Sequence, residues 1–247
     1  LLVLAAPIFL AIITATFISF DLFAPPIPSM VLPQRMIDGV NRFALVAIPL
    51  FIFAADVISR GQIGKRLVAL TEATMGHITG GVAIATAGAC AIFGAMSGIG
   101  PAAVVSIGPI VYPSLVQQGY SKSFAVGLIL SASTIAMLIP PGIAMILYSI
   151  ETNNSVGDMF IAGLCTGILL TVVLGIYSYA YAKVKGIGRA PKVSWAGRML
   201  ALRRAGWALG LPVIVLGGIY SGAATPTEAA AFACVYSIVV ETLIYRQ

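Results

Sequence analysis

An all-α integral membrane protein, a bundle of several spans, is the fold class this sequence predicts, and three observations predict it. Of the 247 residues 60% are hydrophobic and only 9% are charged, against about 25% charged in a soluble domain. So few charges cannot clothe a water-facing surface. The mean hydropathy is +1.03, and the apolar residues gather in runs near the ~20 residues that cross about 30 Å of hydrocarbon. Those runs are apolar all round, whereas strands of a membrane barrel alternate apolar and polar with period two.

Taken in order, residues 1–58 supply scaffold spans. Leu1–Phe20 is too long for a signal-peptide core and no A-x-A pattern follows it. A loop with Pro25, Pro26, Pro28 and Pro33 leads to a second span, Phe43–Ile58. Residues 59–76 set Arg60, Lys65, Arg66 and Glu72 against Ile63, Leu67, Val68 and Leu70, the pattern of an amphipathic arm lying at the membrane interface. Residues 77–150 hold two apolar segments, Ile78–Phe93 and Ala102–Val116, and then Phe124–Ile150, which is interrupted by Pro140-Pro141-Gly142. A span, Met159–Tyr181, fills 151–182. A basic loop covers 183–205, and 206–247 carries two further spans, about Ala205–Tyr220 and Pro226–Tyr245. The sequence opens on Leu1 rather than Met and reads as a piece of a longer chain.

The net charge of +6 lies between apolar segments, so topology explains it and nucleic-acid binding does not. Placing Lys183–Arg204 in the cytoplasm and alternating the spans puts twelve of the fourteen basic residues on that side, Arg35 and Arg42 excepted. Tyr177, Tyr179, Tyr181, Trp195 and Trp207 flank the basic loop as an interfacial aromatic belt. Cys90, Cys165 and Cys234 lie far apart inside apolar runs and show no metal or disulfide spacing. Thr225-Pro226-Thr227-Glu228 is a capping box opening a helix, and Asp56 and Arg60 are spaced to pair.

Two places interrupt the spans without adding charge. The turn Gly94–Pro101 holds three glycines, Ser97 and Pro101, which suits a re-entrant hairpin tip (94–101). Glycine permits the bend, and proline suits a restarting helix. Irregular backbone inside a bilayer is tolerated where it lines a cavity or is buried in protein, and such breaks are where transporters bind cargo. The helix ending at the tip aims carbonyls there, suited to a cation; the helix starting at Pro101 aims amides, suited to an anion. The second interruption is a discontinuous helix, with the break at 134–142, because Pro140 and Pro141 remove two donors and push the preceding residues out of helical geometry. The candidate substrate and ion site is therefore Ser97, Gly98, Gly100, Pro101, Ser133, Thr134, Pro140 and Pro141, with Ser97, Gly98 and Thr134 as candidate Na⁺ ligands. A tight turn between two full spans and a simple proline kink are the plainer alternatives.

Other chemistry is poorly served. Gly98-Ile-Gly-Pro-Ala-Ala103 matches G-x-G-x-x-A but lacks the strand and the acidic residue of a dinucleotide site. Ser97 has no G-x-S-x-G around it for hydrolysis, and His77, the one histidine, reads as an interface residue at the start of the hairpin. No enzyme activity and no cofactor is expected.

Leu32-Pro-Gln-Arg35, Ile48-Pro-Leu-Phe-Ile52, Ser59-Arg-Gly61, the Ser97-Gly-Ile-Gly-Pro101 tip, Ile139-Pro-Pro141 with Met145 and Tyr148, and Thr225-Pro-Thr-Glu-Ala-Ala-Ala231 together resemble, in the same order, the large membrane subunit of tripartite ATP-independent periplasmic (TRAP) transporters. The resemblance implies an elevator-type inverted-repeat transporter of the bacterial inner membrane, of which this chain holds the first repeat, since no second Ser-Gly tip or Pro-Pro break follows residue 160. It implies Na⁺-coupled uptake of small organic acids such as C4-dicarboxylates. The implied partners are a periplasmic substrate-binding protein and a small membrane subunit, with the lipid bilayer around them. One departure stands out: the family's usual Gly-Pro pair is replaced here by Ile135-Ala136-Met137. A sodium/anion symporter of elevator type working without a binding protein is the second hypothesis, and a non-transporting scaffold the third.

Overall fold

The computed structural model describes residues 7–23 and 30–245, and every regular element among them is helical. Up to Arg42 the chain forms a unit of its own, with α1 (Ile8–Phe23) and α2 (Val31–Val40). The expected start of the first span, residues 1–6, and Pro25, Pro26 and Pro28 of the expected loop lie outside the described residues. Pro33 does not sit in a loop. It falls in the first turn of α2, where a helix has no use for the missing N–H.

From Phe43 onward the chain forms the second unit. A 3₁₀ turn (Phe43–Val46) leads into α3 (Ala47–Arg60), followed by α4 (Ile63–Met75), α5 (Gly81–Ser97), α6 (Gly100–Gln117), α7 (Lys122–Leu138), α8 (Ile143–Thr152), α9 (Val156–Lys185), α10 (Trp195–Tyr220) and α11 (Pro226–Val239), which runs on into a π turn (Val240–Ile244). Among the described residues, four stretches are long and apolar enough to cross a membrane: Phe43–Arg60, α9, α10 and Pro226–Ile244. The pair α7 and α8, bent by 41° at its break, makes a fifth.

Local chemistry explains most boundaries. Ser121, Ser155 and Ser194 each place a hydroxyl oxygen to accept an amide of the first turn of α7, α9 and α10, satisfying donors that a helix start leaves free. The Thr225–Glu228 capping box forms as expected. Helix α9 ends on Gly186, with Lys183 and Lys185 in its last turn, where cations complement the helix dipole. The expected loop at 183–205 is shorter than its charge suggests. Helix α10 begins at Trp195, because Ser194 caps it, and it carries Arg198, Arg203 and Arg204 ahead of its apolar part. Residues 186–194 remain as the connection.

Helix α5 is the centre of this unit. It packs against α4, α6, α7 and α9, and nearly all its residues are buried. A helix made largely of Ala and Gly lets neighbours approach on every side. The same device joins α3 to α11: Ala54 and Ala55 pack where Ala229, Ala230 and Ala233 are buried, and the Cys234 thiol donates to the Leu50 carbonyl at 2.9 Å. Cys90 and Cys234 are buried and free, and Cys165 is exposed and free. Asp56 and Arg60 pair at 2.9 Å in an exposed position, where such a contact contributes well under about 1 kcal/mol.

Helix α4, which falls within the expected arm at 59–76, buries one face. Ile63, Gly64, Leu67, Val68, Leu70 and Thr71 are buried, while Lys65 is exposed. Its start is completed from far away. The buried Glu241 carboxylate accepts the Gln62 amide at 2.9 Å and the Ile63 amide at 3.1 Å, across 179 and 178 residues of chain. Two of the expected belt residues also stack: the Tyr181 and Tyr177 rings lie against Phe124, with Tyr181 at 3.9 Å between centroids, and Tyr120 joins at 5.1 Å, while Tyr177 stays exposed. Tyr179, Trp195 and Trp207 are exposed.

Candidate functional site

The turn between α5 and α6 is two residues long. Gly98 takes φ +61 and its amide closes onto the Gly94 carbonyl at 2.8 Å, a left-handed helix ending that glycine adopts without strain. Ile99 is extended, and α6 restarts at once with Pro101 in its first turn. The buried Ser97 hydroxyl oxygen accepts the Ile99 amide at 3.4 Å, so this side chain helps to shape the turn.

The second interruption occupies only the later part of the expected 134–142. Helix α7 continues to Leu138, Ile139 is extended (φ −82, ψ 127), and α8 begins at Ile143, so the break is residues 139–142. Proline restricts the residue before it, not the whole preceding turn, and Ile139 is that residue. Ser133 and Thr134 therefore stand in intact helix. Their hydroxyls donate to the Leu130 carbonyl at 2.7 Å and the Ser131 carbonyl at 2.8 Å. Pro140 and Pro141 are buried, joined by a cis bond. Having no N–H, they leave the Ala136 and Met137 carbonyls without their α-helical donors.

Tip and break meet backbone to backbone. A Cβ on Gly98 would strike the Pro141 carbonyl oxygen and come within 2.8 Å of its carbon and 3.3 Å of the Gly142 Cα. A Cβ on Gly94 would strike the Ala136 Cα, and one on Gly100 would lie 3.1 Å from the Ser133 carbonyl oxygen. Of the expected site, Ser97, Gly98, Gly100, Ser133, Pro140 and Pro141 are buried in this junction, while Pro101 and Thr134 are exposed at its edge.

Helix α9 backs the junction, through residues that sequence reasoning did not single out. A Cβ on Gly163 would lie 2.6 Å from the Leu138 carbonyl oxygen, and one on Gly167 would press on Ile139. The signal was present: Gly163 and Gly167 form the G-x-x-x-G of close-packed membrane helices. The other end of the hairpin is also close to α9, where a Cβ on Gly80 would lie 2.8 Å from the Ser178 carbonyl oxygen and 3.1 Å from the Ala182 methyl. Helix α5 thus runs antiparallel to α9 from the level of 178–182 to the level of 163–167. The tip lies roughly 10–17 Å from the first residue of α9 and roughly 27–33 Å from its last, at 1.5 Å per residue.

A polar cavity of about 430 Å³ sits at the base of the hairpin, lined among others by Glu72, Ser114, Gln117, Gln118, Ala190 and Pro191. The basic connection straps across it: the Ala190 amide donates to the Gly76 carbonyl at 3.2 Å, the Arg189 Nε donates to the Thr79 hydroxyl at 2.9 Å, and Arg198 lies 3.3 Å from His77 Nδ1. His77 thus meets the start of α10, just beyond this strap. Burial pushes the Glu72 carboxyl above its ordinary 4.5, and the Ser114 hydroxyl partly offsets this. Its Oε1 has no partner among the described residues. A folded-state value above the unfolded one gives stability that is present below the ordinary value and lost as pH rises through the raised one. The thermal midpoint of the full-length protein should therefore fall from about pH 5 to about pH 8 more steeply than that of Glu72→Gln. Parallel curves would show that Glu72 is ionised freely in the fold.

A family model described as "Tripartite ATP-independent periplasmic transporter, DctM component" matches residues 1–247. An ectoine/5-hydroxyectoine TRAP transporter large permease protein of Ruegeria pomeroyi is 44% identical over the whole chain, which covers 58% of that protein. An ectoine TRAP transporter large permease protein of Halomonas elongata is 43% identical with the same coverage. A C4-dicarboxylate TRAP transporter large permease protein of Vibrio cholerae is 47% identical over 206 residues, 83% of the chain and 46% of that protein. The chain spans about half the length of these relatives.

Proposed function

The chain belongs to the DctM component family of tripartite ATP-independent periplasmic transporters, multi-pass proteins of the inner membrane, and from that premise we propose that it forms half of a large permease subunit for Na⁺-coupled uptake of small organic acids. A periplasmic binding protein hands over the cargo and a small membrane subunit completes the scaffold. The relatives are named for ectoine as well as for C4-dicarboxylate, so the family alone does not select dicarboxylates. The carboxylate class rests on the anion-seeking amides at the start of α6.

The observation that carries the reading is the contact of Gly98 with Pro141 at the level of Gly163–Gly167. The apolar run Met159–Tyr181 is long enough for about 30 Å of hydrocarbon, and the tip turns roughly 6–12 Å inside its far end. Helix α5, 17 residues long, spans only about 25 Å. A hairpin that enters from the basic face and turns before the opposite face is re-entrant. Carbonyls ending α5, the Ala136 and Met137 carbonyls and the hydroxyls of Ser97 and Thr134 offer oxygen to Na⁺, and the α6 amides offer donors to a carboxylate. The Ser97 and Thr134 hydroxyl oxygens keep lone pairs for this purpose beside the hydrogen bonds they already make.

The test is uptake into proteoliposomes holding full-length permease, small subunit and binding protein, with labelled C4-dicarboxylate and labelled ectoine in parallel. An inward Na⁺ gradient should drive uptake of one of them, and replacing Na⁺ by K⁺ should reduce it to the level of protein-free liposomes. Ser97→Ala should raise the Na⁺ concentration for half-maximal uptake about fivefold, the equivalent of about 1 kcal/mol for one lost hydroxyl contact. Uptake indifferent to Na⁺ would remove the coupling claim.

A further inference from the structure

Helix α4 and the first half of α10 enclose a groove of about 350 Å³, lined by Gln62, Lys65, Arg66, Leu200, Ala201 and Arg204, among others. Three of these are cations, no carboxylate lines the groove, and none of the three pairs with one among the described residues. The Glu241 carboxylate, which touches Gln62 of the same wall, is taken up by the Gln62 and Ile63 amides. Arg66 is held in place: its guanidinium lies 3.7 Å from the centre of the Tyr245 ring and donates to the Arg204 carbonyl at 3.1 Å, which the Tyr245 hydroxyl also meets at 3.1 Å. Its Nε is buried without a partner among the described residues. A fixed guanidinium with an ammonium and a second guanidinium beside it is built to receive a phosphate.

The surroundings choose the source of that phosphate. The groove lies between α4 and the basic first part of α10, a helix long and apolar enough to cross a membrane. The exposed Leu200 forms part of its wall, and Trp195 and Trp207 are exposed on the same helix α10. Phosphate oxygens held by cations next to open apolar surface match the headgroup and upper chains of a lipid. We propose that this groove is a binding site for the headgroup of an anionic phospholipid of the cytoplasmic leaflet, a ligand distinct from the transported solute. Basic pockets between helices on the cytoplasmic side carry this kind of recognition.

Lys65→Gln with Arg204→Gln tests it. The Arg204 carbonyl, not its side chain, anchors Arg66 and Tyr245, so the double variant keeps that clasp. Lys192→Gln with Arg203→Gln removes the same charge from outside the groove. Full-length permease is placed in nanodiscs containing phosphatidylglycerol or only phosphatidylcholine, and retained lipid is counted by native mass spectrometry after detergent extraction. Thermal unfolding in lipid-free detergent reports folding. Wild type should retain phosphatidylglycerol over phosphatidylcholine, and the groove variant should retain it about tenfold less with an unchanged midpoint. The control pair should stay near wild type. Equal losses in both pairs, or no preference for phosphatidylglycerol, would overturn the site. Inorganic phosphate that displaces the lipid at millimolar concentration and is itself lost in the groove variant would overturn the lipid as its ligand.

Discussion

Gly98→Ala is expected to destabilise the full-length permease by about 3 kcal/mol and to abolish uptake. Two contributions add. The left-handed conformation at φ +61 is disfavoured by about 1–2 kcal/mol for any residue with a Cβ. The new methyl would also overlap the Pro141 carbonyl oxygen, and overpacking of that kind costs about 1–3 kcal/mol. Backbone cannot step aside as a flexible side chain can, because Ile139 on the far side of the break is pressed on Gly167. Gly119→Ala separates the contributions. Gly119 has φ +94 but nothing within 4 Å of a Cβ, so only the conformational part of about 1–2 kcal/mol remains. Gly127→Ala, in α7 with open space and no positive φ, should gain about 0.5–1 kcal/mol. Denaturant unfolding in micelles ranks the three. If Gly98→Ala proves no worse than Gly119→Ala, the tip does not press on the break, and the assembly of the candidate site fails with it.

Glu241→Ala should be at least as damaging, by about 4 kcal/mol, although the residue takes no part in the candidate site. It leaves two amides at the start of α4 without an acceptor. Hydrogen bonds to a charged group contribute about 1.5–3 kcal/mol each, and a carboxylate at a helix start adds up to about 1 kcal/mol through the dipole. Glu241→Gln keeps an acceptor oxygen but not the charge, and should lose about half as much. Gly61 supplies an internal check, since a Cβ there would collide with the Glu241 carboxylate. Gly61→Ala should be severe in wild type and mild in the Glu241→Ala background, a coupling of at least about 1 kcal/mol. Additive effects would show that the carboxylate does not occupy that place.

The sequence made the hairpin and the broken helix readable because each is written in residues with a backbone consequence. Gly98 takes a conformation open to few others, and Pro140-Pro141 cannot continue a helix. The position of the break was misjudged toward Thr134 because missing donors were equated with a missing helix. The helix in fact persists to Leu138, and what opens is the pair of carbonyls at 136 and 137. Gly94 and Gly100 were read as freedom to bend, whereas they serve close approach to α7, a property of the partner surface that no single segment reveals. The cap by Glu241 was not singled out, although an acid inside an apolar run usually marks a partner. Which partner it meets depends on tertiary folding. The start of α10 was missed because seven basic residues read as a loop, when Ser194 was already a sufficient cap.

The reach of Glu241 has a bearing on how the chain is made. Synthesis runs from the amino end, so the amides of Gln62 and Ile63 leave the ribosome 179 and 178 residues ahead of the carboxylate that meets them. Until α11 and the π turn that follows it have been delivered, the arm begins with open donors, and water is the acceptor at hand. Completion of the arm is therefore timed by the arrival of the segment that carries Glu241.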